Sequence, residues 1–432
     1  MRAGACQLDI TPPVGGEVPG QWLRRIATRV RDPLAVSALA LESGGRLACL
    51  VSCDVLSLKN RIVADLRGRL GDVLDPAYLL LAATHTHTGP PVCDALGSQS
   101  SEDAVRALTD AIEQAVRTAC HRLQPARLGW ASGHAPGLAF PRRWRMADGT
   151  VRMHPPKDSP DLVAPEDEAD DTLCVLQVSG ADGTPLALGI NFACHPICVG
   201  SGDFYSADYP GAVRRAVQEK LGPAAVLYLN GPCGDIGPDD IGDRTRSRYG
   251  EQALEEMGTA LAERARELAA TIRGEGDLPL RAATERITVP LRAVPPEALQ
   301  EAQAWAQGRD LAEVPQTQRE IIWRELLLVA EERQRQPALE IEIGGLAIGP
   351  GALVALPGEI FTAIGRQIRA ASPFAHTALV ELANGSYGYV PTAQAFAGGG
   401  YETWLCRSSR LAPTAAADLV AAGRRVLGQL AG

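Results

Sequence analysis

The sequence predicts an α/β fold in which mixed β-sheets are flanked by helices and a metal site lies at the strand ends. Three observations predict it. The run Tyr78-Leu79-Leu80-Leu81-Ala82-Ala83, entered from Asp75-Pro76, is short and continuously apolar, as in a strand buried on both faces. Strand-like and helix-periodic stretches alternate along the chain, the pattern of an α/β sheet. Polar, histidine- and glycine-bearing segments follow directly on the apolar runs, and in open α/β sheets the crevice beyond the strand ends is where ligands bind.

In chain order, Ala3 to Ile10 reads as a first strand, Thr11-Pro12-Pro13-Val14-Gly15-Gly16 as a turn, and the stretch to Arg31-Asp32-Pro33 as a loop. Residues 34–41 and 46–54 are extended and joined by Glu42-Ser43-Gly44-Gly45, a link short and glycine-rich enough for a β-hairpin. Asn60 to Leu70 carries helical periodicity and leads into the buried strand. A second helix over 102–123 repeats apolar residues at Val105, Leu108, Ile112 and Val116. Residues 154–171 form a loop rich in Pro and Asp; strands are then expected near 173–176, 186–192 and 225–229, with a helix over 211–221 between the last two. Charged amphipathic helices are expected at 251–272 and 296–335, and a last helix at 413–430 after a return to strands. No repeat, low-complexity tract or linker divides the chain, so the expectation is one catalytic domain over 1–432 with a helical insertion at about 296–336.

Composition bounds the function. Hydrophobic residues make up 46% and charged residues 22%, ordinary for a globular enzyme. The formal charge of -9 and the lack of a basic stripe argue against a nucleic-acid partner, and no apolar run is long enough for a membrane span. The 10 cysteines show no disulfide or zinc-knuckle spacing. Met1-Arg2 leads straight into the first strand without an apolar leader, which gives the expectation of a reducing cytoplasm and buried thiols.

Chemistry-bearing residues stand at the strand ends. Thr84-His85-Thr86-His87-Thr88-Gly89-Pro90 follows the buried run; side chains at i and i+2 of an extended segment share a face, so His85 and His87 are expected to enter one site. Such a pair suits a transition metal, as an alternative to hydrogen-bonded surface. His195, in Asn191-Phe192-Ala193-Cys194-His195-Pro196, ends another apolar strand, where a core histidine bonded to a carbonyl is the bland alternative. Asn230-Gly231-Pro232-Cys233-Gly234-Asp235-Ile236-Gly237 is a glycine-rich loop that lets backbone approach a ligand or simply turns tightly. Glu359, in Leu356-Pro357-Gly358-Glu359, stands between an apolar strand and a helix, where it serves either the helix dipole or a metal as an anionic ligand. Tyr387, Tyr389 and Tyr401 crowd a glycine-rich segment, as packing caps or as reacting phenols.

In order along nearly the whole chain, these motifs resemble the catalytic domain of the neutral/alkaline non-lysosomal ceramidase family, zinc amidases that cleave an N-acyl bond. The resemblance is carried by Asp9-Ile10-Thr11-Pro12-Pro13, His85-Thr86-His87-Thr88-Gly89-Pro90 and Asn191-Phe192-Ala193-Cys194-His195-Pro196. It continues through Ser206-Ala207-Asp208-Tyr209-Pro210-Gly211, Gly234-Asp235-Ile236-Gly237-Pro238, Pro357-Gly358-Glu359, Gly388-Tyr389-Val390-Pro391-Thr392 and Tyr401-Glu402. It implies His85, His195, Glu359 and Tyr389 as zinc ligands, and His87, Tyr389 and Tyr401 as catalytic groups. Arg143 is implied to bind substrate, with the neighbouring Arg142 as the other possible match, together with the loop residues Gly234 and Asp235. Two departures are visible: Gly237 stands where the family has serine, and the chain ends after its last helix without the family's C-terminal β-domain.

The expected activity is a zinc-dependent hydrolase cleaving the amide bond of a small N-acyl substrate. Zn²⁺ lowers the pKa of a bound water to about 7, so that hydroxide attacks the acyl carbonyl. Ester or other acyl hydrolysis at the same site is the nearest alternative, and a non-catalytic metal-binding sensor the alternative from another class.

Overall fold

The computed structural model describes residues 1–311, 313 and 315–432; Ala312 and Val314, inside the stretch expected to be a helical insertion, lie outside the described residues. The larger sheet contains β1 (Arg2–Asp9), β2 (Ala35–Ser43), β3 (Arg46–Cys53), β4 (Leu79–Ala83), β5 (Gln124–His134), β6 (Thr172–Gly180), β7 (Pro185–Phe192) and β8 (Ala225–Asn230). Their spatial order is β8-β7-β6-β5-β1-β2-β3-β4. Pairing is antiparallel except at the two ends, where β3 runs parallel to β4 and β7 parallel to β8. A second sheet, β9 (Leu280–Pro290), β10 (Ala338–Ile348), β11 (Gly351–Leu356) and β12 (His376–Glu381), keeps sequence order and ends in a parallel β11/β12 pair.

The helices are α1 (Asn60–Arg69), α2 (Glu102–His121), α3 (Asp208–Leu221), α4 (Glu251–Ala269), α5 (Pro296–Ala306), α6 (Gln318–Arg335), α7 (Thr362–Arg369), α8 (Ala393–Gly398) and α9 (Ala415–Ala431). Side-chain alternation along the strands sorts them into four layers. Leu80 and Ala82 of β4, Leu227 and Leu229 of β8, and Leu353 and Val380 of the second sheet meet in one core between the sheets. The intervening residues face outward: Leu79 and Leu81 pack on α1 and α2, Val226 and Tyr228 on α3 and α4, and Val354 and Leu379 on α7 and α9. The order is helix, sheet, sheet, helix, so both faces of each sheet are covered and an α/β class follows. Truncating a fully enclosed side chain such as Leu50 would cost about 2–5 kcal/mol through lost transfer energy and a cavity.

Local chemistry explains most element ends. Strands β2 and β3 extend until Gly44 (φ +57°) and Gly45 (φ +74°) alone make the turn, a left-handed pair that few other residues would adopt. Ser101 caps α2 by accepting from the Ala104 N–H. The expected helix over 296–335 is two helices, α5 and α6, standing between the arms of the β9/β10 hairpin. Strand β5 was not expected, because Gly129 and Gly133 dilute its pattern; a Cβ on Gly129 would lie 2.4 Å from Ile272 Cγ2, and one on Gly133 would lie 2.9 Å from Leu268 Cδ2. The residue types thus record close packing by the segment at and beyond the end of α4 rather than a turn. Similarly, Leu162–Pro165 inside the expected loop pairs with Arg143–Met146 in a small three-stranded sheet.

Candidate metal centre and active site

Strands near opposite ends of the larger sheet deliver the histidines. His85 follows β4 and His195 follows β7, and their Nε2 atoms lie 3.0 Å apart. His87 Nε2 stands 3.3 Å from His85 Nε2. The extended alternation expected to aim His85 and His87 together is not what does so: His85 has φ +72°, a left-handed conformation that a non-glycine residue holds only under constraint. Thr86 and Thr88 supply that constraint, both donating their hydroxyls to Ser206 O at 2.7 and 2.9 Å.

Each imidazole has its outer nitrogen committed. Nδ1 of His85, His87 and His195 lies 2.8 Å from the carbonyl oxygens of Leu56, Gly20 and Cys233 respectively. A carbonyl only accepts, so each Nδ1 carries the proton and each Nε2 turns a lone pair inward. Three lone pairs within 4.8 Å of one another form the donor set of a metal ion, and backbone fixation of the outer nitrogens is the arrangement that orients such ligands. The residues therefore fit a metal.

Glu359 and Tyr389 arrive side by side. Glu359–Ile360 pairs in parallel with Tyr389–Val390, with Glu359 in register with Tyr389. Glu359 Oε2 lies 3.4 Å from His85 Nε2 and 3.6 Å from His195 Nε2. His87 is pushed far down by burial and by its two imidazole neighbours. Burial drives the Tyr389 phenol well above its usual range. Distance alone does not divide ligands from proton carriers here, since His87 is as much part of the cluster as His195.

The two arginines diverge, as successive residues of an extended segment do. Arg142 donates from Nη2 to the Tyr389 hydroxyl (3.1 Å) and Gly234 O (2.8 Å), and from Nε to Glu402 (2.9 Å). Arg143, the expected substrate arginine, turns to Glu166, Glu402 and Gly399 O, and lines neither cavity at the centre. Gly234 and Asp235 likewise lie behind the site. A Cβ on Gly234 would sit 2.7 Å from Glu359 O, so the glycine permits close backbone approach. The Asp235 carboxylate caps α7, accepting from Thr362 N (2.8 Å) and Oγ1 (2.5 Å). At Gly237 a Cβ would meet only His154 and Ile197, at 3.7 and 3.8 Å, which leaves room for a larger residue.

Two cavities open on the centre. One, of about 810 Å³, is lined by His85, Glu359 and a mixed wall that carries most of the charged residues; the other, of about 570 Å³, is lined by Arg142 and mostly apolar and aromatic residues. His87, Tyr389 and Tyr401 line both. Tyr401 is fixed by edge contacts to Tyr389 (5.7 Å between centroids) and Trp22 (5.6 Å).

Compared with solved structures, the chain matches neutral ceramidase from Pseudomonas aeruginosa with a TM-score of 0.76 over 99% of this chain and 74% of that one, at 20% identity. The chain has the neutral ceramidase fold. A ceramidase complexed with C2 gives a TM-score of 0.75 at 19% identity, over 100% of this chain and 75% of that one. Among curated proteins, the neutral ceramidase of Pseudomonas aeruginosa is 31% identical over 131 residues, 28% of this chain. The match spans 18% of that ceramidase's length. No family model matches. These likenesses fit the ceramidase-family resemblance carried by the sequence motifs. Among the described residues no helix is long and apolar enough to cross a membrane.

Two contributors escaped the sequence. Glu381, fully buried on β12, accepts from the Cys233 and Ile360 N–H groups at 3.0 and 2.8 Å and so ties the His195 carbonyl partner to the Glu359 strand. Glu402, also fully buried, receives both arginines. A carboxylate inside an apolar run (Leu379-Val380-Glu381-Leu382) was the available signal for the first.

Proposed function

We propose that this protein is a zinc-dependent hydrolase that cleaves the amide bond of an N-acyl substrate. One observation carries the proposal: inward-facing Nε2 atoms from separate strand ends converge beside the Glu359 carboxylate, with every outer nitrogen pinned to a carbonyl. Likeness to neutral ceramidase supports an acylated amine as the substrate class. His85, His195 and Glu359 would hold the metal with Tyr389 as a weak further ligand, a set short enough of closed coordination for catalysis. When bound, zinc supplies Lewis acidity and an activated water.

The chain's own groups do the rest. Arg142 donates to the Tyr389 oxygen, so the phenol's own proton is free to point elsewhere, toward an acyl oxygen at the boundary of the two cavities. A phenol donor so placed is worth about 3 kcal/mol to an oxyanion. His87, neutral and with Nδ1 anchored on Gly20, has Nε2 available to receive a proton from the attacking water and return it to the leaving amine. Tyr401 walls the reacting bond. A cytoplasmic setting belongs to the same proposal, supported by 10 free cysteines of which all but Cys120 are buried.

The test is metal analysis of the purified protein with a panel of short- and long-chain N-acyl amines and matching esters, with and without chelator. Chelator-sensitive amide turnover and about one zinc per chain are expected. Turnover of esters alone would make it an esterase, and tight zinc without turnover would make it a sensor.

A further inference from the structure

The two cavities differ in chemistry, and they meet at His87, Tyr389 and Tyr401. Hydrolysis of an amide adds water across the C–N bond, giving a carboxylic acid on one side and an amine on the other. The two halves of a substrate that reacts at this junction extend into different cavities. Trp22, Met153, Ile197, Val199, Phe204 and Tyr249 make the smaller cavity a place for an acyl chain. The larger cavity, which carries the charged residues, suits one less well. Charged residues from α1, α6 and the segment before α9 line it, so a long apolar amine would desolvate them without compensation.

Their pairing shows what is wanted instead. Arg61 is matched by Glu102 at 2.8 Å, Arg407 by Glu325 at 2.7 Å, Arg410 by Glu332 at 2.9 Å and Arg335 by Glu331 at 2.9 Å. Asp94, which feels the charge of Lys59, has its carboxylate engaged by the Ser100 N–H and hydroxyl at 2.8 and 2.9 Å. Lys59 is different. It is half-buried, it lines the same cavity as His85 and Glu359, and among the described residues no hydrogen bond or ion pair reaches its ammonium. Every other lining cation has an acid at ion-pair distance, whereas Lys59 feels Asp94 only through space, so the donors of its ammonium are left for a ligand.

We infer that the amine half of the substrate carries a carboxylate received by Lys59, so that the substrate is an N-acyl amino acid. This rests on the amide-hydrolase proposal above. Water cleaves the C–N bond, the acyl half leaves as a carboxylic acid, and the free amino acid departs from the polar cavity.

The experiment compares the zinc-loaded protein on N-octanoylalanine, its uncharged N-methyl amide and an N-octanoyl sphingoid amine, with Lys59→Met and Lys59→Arg alongside. The expected result is a kcat/KM at least about tenfold higher for the carboxylated compound, the discrimination a charged hydrogen bond supplies. That ratio should collapse by about tenfold in Lys59→Met, through KM, and persist in Lys59→Arg. Equal cleavage of charged and uncharged compounds, preference for the sphingoid amide, or an unchanged ratio in Lys59→Met overturns the inference while amide hydrolysis stands. No cleavage of any amide overturns the amide-hydrolase proposal and this inference with it.

Discussion

His85 and His195 bring their Nε2 atoms within 3.0 Å of each other although they follow strands near opposite ends of the larger sheet, and both have already given their Nδ1 proton to a carbonyl. Unprotonated nitrogens so close repel unless a cation lies between them. Replacing His85, His195 or Glu359 by alanine is therefore expected to abolish both zinc retention and turnover. His87→Ala should keep the metal and lose turnover by about 10²- to 10⁴-fold. Metal analysis after desalting, paired with kinetics, checks this; a His87→Ala protein that loses its zinc while His85→Ala keeps it reverses the assigned roles.

Arg142 and Arg143 share Glu402 but should respond differently. Arg143→Met strips Glu166 of its partner and leaves fully buried Glu402 with one guanidinium, at a cost of about 3–5 kcal/mol in stability. Arg142→Met removes the bond to the Tyr389 hydroxyl, and kcat/KM of the folded protein should fall by about 10²-fold. Urea unfolding and kinetics on both variants decide it. Equal catalytic loss in the two would mean that both act only through structure.

Glu381 is a positioning residue. Glu381→Gln keeps an oxygen for the Cys233 and Ile360 N–H groups, whereas Glu381→Ala leaves both buried donors unpaired. Zinc affinity, measured by competition with a chelating dye, is expected to fall by about 10- to 100-fold in the alanine variant and much less in the glutamine variant. Identical affinities in both variants would rule out the positioning role.

Acidity should favour the fold at Asp208. Burial pushes its carboxyl up to about 6, against the pull of the Val199, Tyr209 and Cys198 N–H groups and with a push from Asp32. The folded value lies above the ~3.9 of an unfolded aspartate, so this carboxyl's contribution is full below pH about 4 and is lost as pH rises through about 6. The amount is on the order of 1–3 kcal/mol. Asp208→Asn keeps a residue tolerant of the left-handed φ of +56° and removes the titration. Urea unfolding at pH 4.5 and 7.5 should show the gap between wild type and variant narrowing at the higher pH; a constant gap contradicts it.

Much of this was legible because buried strands announce themselves. Leu79 to Ala83 is apolar on both faces since a sheet covers one and helices the other, and the polar break at Thr84 marks where that cover ends. The histidines and Glu359 drew notice by their places at such breaks and Tyr389 by its glycine-rich segment, while their ligand roles were implied only by the family resemblance. What the pattern could not carry was direction. Nothing in Phe140-Pro141-Arg142-Arg143 says which guanidinium turns toward Tyr389, since one residue of register exchanges the faces. The left-handed His85 was equally hidden, because the threonine bonds that hold it reach across to Ser206, more than a hundred residues away. Strand β5 was lost for a related reason: its glycines answer to partners near the end of α4.

Helix α6 contributes Leu328 and Glu332 to the polar cavity while standing between β9 and β10, strands that carry none of the inward-facing histidines, Glu359 or Tyr389. This side of the cavity wall is thus built from a length of chain separate from those that hold the clustered groups. A change of residue or length in that insertion would reshape one side of the cavity and leave the histidine cluster in place.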